Sequence, residues 1–99
     1  MSKYIITDEC RHYLDAILPT FKYDRLAAIR ASVEKVIVAE EGNDSKDNVW
    51  RIGSAIQSFL EHNNFGHSVD YVFIIDKKGE DLKNSGSLKA YEEREINSN

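Results

Sequence analysis

The chain has 99 residues, 41% of them hydrophobic, enough for one buried core and too few for a second domain. Its formal net charge is −4 with the basic residues scattered along the chain, which makes nucleic acid a poor partner, because no basic patch forms the electrostatic footprint such binding needs. The single cysteine, Cys10, excludes an internal disulfide and a Cys-x-x-Cys site, so a reducing, cytoplasmic location is the expectation. Residues 1–7 lack the apolar run of a secretion signal, and no segment approaches the ~18 apolar residues of a membrane span.

From Ile6 the apolar positions Ile6, Cys10, Tyr13, Leu14, Ile17 and Leu18 fall at helical spacing. Thr7 is placed to cap this helix, Asp8 and Glu9 favour its positive end, and Pro19 ends it. The strongest helical signal covers residues 23–41, with Leu26, Ile29, Val33, Val36 and Ile37 on one stripe and Gly42 as the stop. A second stripe of smaller residues, Ala27, Ala31 and Val38, suits close helix approach, so this helix is expected to be either the central helix of the domain or half of a homodimer seam. Between the stripes projects Arg30, with Glu34 one turn on as its expected ion-pair partner.

Residues 42–46 read as a loop, and Ser45 is placed to cap a third helix reaching about residue 63. Val49, Ile52, Ile56, Phe59 and Leu60 make its apolar stripe, with Gly53 beside it to admit a neighbouring backbone. The period then changes to two: Val69, Tyr71, Phe73 and Ile75 alternate with Asp70, Val72 and Ile74, which predicts one strand. Residues 76–79, Asp-Lys-Lys-Gly, read as a turn with a left-handed glycine, leading to a weak return strand over 80–83. Two strands alone are marginal, so a third lane is expected from residues 3–6 or from a second copy. A further turn or two of helix is expected over 87–94. The predicted fold is therefore α+β, about three amphipathic helices followed by a short antiparallel hairpin, with one domain over 1–91 and a polar tail over 92–99.

No catalytic, cofactor or metal signature accompanies this fold. The five glycines are isolated, without phosphate-loop spacing. Asn43, Ser45 and Asp47 match the opening positions of a calcium loop but lack its glycine and closing glutamate, and helix capping accounts for them. Cys10 and His12 do not share a helix face, and His62 and His67 flank Gly66, so no ligand pair is set by spacing. Trp50 stands out. It lies about 100° off the apolar stripe of the third helix, on a face with Ser54, Gln57 and Glu61.

A tryptophan in that place is either covered by another element or an interface anchor, and Arg51 follows it with the same hot-spot chemistry. Glu40, Glu41 and Asp44, with Asp47, form the densest acidic patch, suited to a basic partner surface. The functional expectation is a non-enzymatic, small acidic binding protein working through protein–protein contacts at Trp50, Arg51, Glu40, Glu41 and Asp44. An inhibitor, an immunity or phage-like anti-defence factor, or an adaptor fits that size and charge by analogy alone. The alternative expectation is an oligomer in which Arg25 and Arg30 hold an anionic metabolite or nucleotide.

Overall fold

A computed structural model of the chain describes residues 6–42 and 46–97. Helix α1, Asp8–Ile17, begins as its sequence requires. The Thr7 hydroxyl accepts from the Cys10 amide at 3.2 Å, and Cys10, Tyr13, Leu14 and Ile17 turn inward. Pro19 sits in a short 3₁₀ turn, Leu18–Thr20, closed by the Thr20 hydroxyl donating to the Ile17 carbonyl at 2.7 Å. Phe21 follows, fully buried.

The second helix, α2, starts later than its apolar stripe suggests, at Ile29–Glu41. Residues 24–27 instead run beside the hairpin. The Asp24 amide donates to the Ile75 carbonyl and the Ala27 amide to the Phe73 carbonyl, each at 2.8 Å, while the Ile75 amide donates to the Arg25 carbonyl at 3.1 Å. Leu26 bridges Ile74. The helical period is real, but the outer edge of a strand carries backbone groups that must be satisfied, and this segment satisfies them. The third lane expected at 3–6 or from a second copy thus comes from 24–27; residues 3–5 lie outside the described residues. Gly42 ends α2 in the left-handed conformation, its amide donating to the Val38 carbonyl at 2.9 Å.

Helix α3, Lys46–His62, buries Val49, Ile52, Gly53, Ile56, Phe59 and Leu60, the stripe expected of it. Its proposed cap, Ser45, is outside the described residues. The single strand predicted over 69–75 is two strands, β1, Gly66–Val69, and β2, Val72–Ile75, paired antiparallel from Gly66↔Ile75 to Val69↔Val72. The fold-back uses Asp70 and Tyr71, both at positive φ, 47° and 71°. That is the backbone of a two-residue hairpin turn that matches strand twist, and it escapes sequence reading because tyrosine stands where glycine is usual.

The predicted turn over 76–79 and return strand over 80–83 are replaced by helix α4, Lys77–Ser85. Gly79 does not supply a left-handed turn. It lies within α4, buried, where a Cβ would stand 2.2 Å from the Phe65 carbonyl oxygen. Helix α5, Leu88–Asn97, follows a left-handed Gly86. Its start is held by the Leu88 amide donating to Asp15 Oδ1 at 2.9 Å, and Glu92 pairs with Arg11 of α1.

The class is thus α+β as expected, with five α-helices rather than three among the described residues. Helices α1, α2 and α3 pack on one another, and α4 supports both strands. Phe73 and Ile75 face this core. Register places Leu26, Val69, Val72 and Ile74 together on the other face of the sheet, since paired residues share a side. Leu26 is 55% exposed and Val69 44%. The radius of gyration, 13.1 Å, is that of one domain of this length.

Candidate functional site

Gly53 and Arg30 together shape one surface feature of the described residues. A Cβ on Gly53 would stand 2.7 Å from Cγ of Arg30 and 3.3 Å from its Cα, so only a hydrogen there lets the start of α2 cross α3 this closely. The Arg30 stem lies over that gap. Its guanidinium then sits 4.9 Å from the ring centroid of Trp50, three residues before Gly53, and donates to the Ser54 hydroxyl at 3.3 Å. This is a cation stacked on an indole, an arrangement worth about 0.5–1 kcal/mol where solvent reaches it. Trp50 itself is 63% exposed. The described residues of hairpin and tail do not cover it.

The face predicted from spacing is therefore assembled: Trp50, Ser54, Gln57 and Glu61 line one depression of about 290 Å³ with Arg30 and His62. A second depression, about 230 Å³, continues past Arg30 and Gln57, which line both, to Leu26, Ala31, Tyr71 and Val72. Together they make a groove running from α3 across the start of α2 to the hairpin tip. Tyr71 at that tip is fully exposed, at 108%. A bulky residue in the left-handed region costs about 1–2 kcal/mol, and this one recovers nothing by burial.

The other predicted residues are distributed differently. Arg51 turns toward α1, donating to Glu9 Oε1 at 2.8 Å and to Asn48 Oδ1 at 3.2 Å. That hydrogen bond holds the Glu9 carboxyl below its usual range and the Arg51 guanidinium above its own. Arg51 thus does not join Trp50, for one helical step carries it about 100° round α3. Glu40 takes His12 Nε2 at 2.8 Å, tying α2 to α1. Glu41 is exposed. Burial lifts the phenol of nearby Tyr13 above its usual value, and the charges of Glu41 and Glu40 add to this. Asp44 lies outside the described residues.

Arg30 does not pair with Glu34, as expected from spacing, but with Trp50 and Ser54. Arg25 is exposed and lines neither depression, so one copy does not bring it together with Arg30. The stripe proposed as a dimer seam is divided: Ala27 precedes α2 and is buried, whereas Ala31 and Val38 lie exposed on the helix. His67 Nδ1 meets Asp76 Oδ1 at 2.8 Å, and His62 Nδ1 meets the Ser58 carbonyl at 2.9 Å. Among the described residues no group of three His, Cys, Asp or Glu side chains is placed to hold a metal ion, and no helix is long and apolar enough to cross a membrane.

Sequence reasoning missed Tyr71 and Leu26. It placed Leu26 on an apolar helix stripe and Tyr71 on one face of a strand, and their exposure follows from the departure of 24–27 from helix and the turn at Asp70. No protein-family model, no curated protein and no solved structure matches the chain.

Proposed function

We propose that this chain is a non-enzymatic binding protein that occupies a surface of another protein through the Trp50 groove. The reading is supported chiefly by one observation: a tryptophan 63% exposed is held in place by an arginine whose seat depends on Gly53. Tryptophan, tyrosine and arginine are the residues that dominate binding energy at interfaces, and Trp50, Tyr71 and Arg30 converge on this groove. The apolar sheet face of Leu26, Val69, Val72 and Ile74 extends the surface. An inhibitor or adaptor role suits such a chain. The exposed Glu41 remains available to a basic rim on the partner.

The test is affinity capture from the native host's lysate, comparing wild type with a Trp50→Ala, Tyr71→Ala double variant. A near-stoichiometric protein held by wild type and lost by the variant, with the melting temperature retained, is the expected result. Equal capture by both would overturn the reading.

A further inference from the structure

We infer that the segment filling this groove seats a carboxylate, from an aspartate or glutamate side chain, on the Arg30 guanidinium and lays an apolar side chain toward Leu26 and Tyr71. The inference rests on the protein-binding reading above and names the chemistry of the partner at that site.

Arg30 forms no ion pair among the described residues. Among the described residues the ion pairs engage Arg11, His12, Arg51 and His67, and no carboxylate stands within 4.0 Å of Arg30. Of its five donors, one reaches a neutral acceptor, Ser54 Oγ. The side chain is nevertheless placed, with its stem over Gly53 and its head on Trp50. Glycine in mid-helix costs about 1 kcal/mol in helix propensity, so α3 is weakened at the position that seats this cation. A guanidinium fixed by stacking keeps its planar fork pre-organised, which suits bidentate capture of a carboxylate and lowers the entropy cost of binding it.

The surroundings choose among anions and set the direction. Among the described residues Arg30 is the only arginine or lysine lining either depression, and one cation balances one carboxylate, whereas a phosphate dianion calls for more. No acidic residue occupies the first turn of α2, and Glu34 one turn on forms no ion pair with Arg30. Glu61 closes the other end, accepting from the Ser68 hydroxyl at 2.7 Å, and its charge repels an acid from that end. The incoming acid is thereby confined to Arg30, with its apolar neighbour directed to the hairpin.

The probe is a phage-displayed library of random dodecapeptides, selected on the immobilised full chain. Trp50 is the only tryptophan, so its fluorescence then reports binding of each selected peptide at the groove itself. The expected peptides carry Asp or Glu close to a large apolar residue. Replacing that acid by its amide weakens binding about tenfold or more, the scale of a charged hydrogen bond. Arg30→Gln weakens the parent peptide by the same factor and abolishes the preference for acid over amide, while Arg30→Lys restores part of it. Peptides that need Trp50 but tolerate the amide would overturn the carboxylate and leave the protein-binding reading standing. A library with no Trp50-dependent binder would overturn both. Inorganic phosphate or ATP binding through Arg30 more tightly than any acidic peptide would replace the protein segment with a small anion. Should Arg30→Gln fail to fold, the acid-to-amide comparison on the wild-type chain decides alone.

Discussion

Arg30 Cγ occupies the space that a side chain at position 53 would need, 2.7 Å from where its Cβ would stand. Gly53→Ala should therefore destabilise the wild type by about 1–2 kcal/mol, the overpacking cost exceeding the gain in helix propensity. In an Arg30→Ala background most of that cost should vanish. Denaturant melts of the four variants should show a coupling of about 1 kcal/mol or more; additive effects would detach the glycine from the arginine.

Tyr71 holds φ 71° beside Asp70 at 47°, in a turn for which Asp-Gly is a favoured sequence. Tyr71→Gly should raise stability by about 1 kcal/mol through relief of left-handed strain. The same variant should bind the partner more weakly. A stabilised hairpin with undiminished binding would remove Tyr71 from the interface.

Gly79 in α4 faces the Phe65 carbonyl, with room for no Cβ: the oxygen would be 2.2 Å away and Ile75 Cγ2 2.8 Å. Because the nearest obstacle is backbone, Gly79→Ala should cost about 2–4 kcal/mol, among the larger effects of a single substitution. A melting temperature near that of wild type would contradict this packing of α4 on Phe65, in the loop between α3 and β1, and on β2.

The Tyr91 phenol is pushed up to about 12, first by burial and then by its hydrogen bond to Glu95 Oε1, where the donor–acceptor distance is 2.9 Å. The folded state favours the neutral phenol, whereas an unfolded chain loses that proton near pH 10. The stability Tyr91 contributes is thus complete below about pH 10 and lost as pH rises toward 12. Melting temperatures across that window should fall less steeply for Tyr91→Phe than for wild type.

The sequence by itself determined the features that depend on near neighbours. Thr7 capping Cys10, the buried stripes of α1 and α3, and Gly42 as the end of α2 all follow from groups within a turn or so of one another. The face that joins Trp50 to Ser54, Gln57 and Glu61 was legible for the same reason, since i, i+4 and i+7 are neighbours on any helix. Only the tertiary structure decided what is made between distant segments. Residues 24–27 carry a helical pattern yet bond to β2, because the open edge of that strand needs partners its own neighbours do not provide. Gly79 reads as a turn until Phe65 is seen to lie against it. Arg30 reads as the partner of Glu34, four residues on, but comes to rest 24 residues away on Ser54, over the one place in α3 without a side chain. A helix face is set by the rotation per residue, whereas the contact between two faces is set by which pair of surfaces closes with fewest gaps.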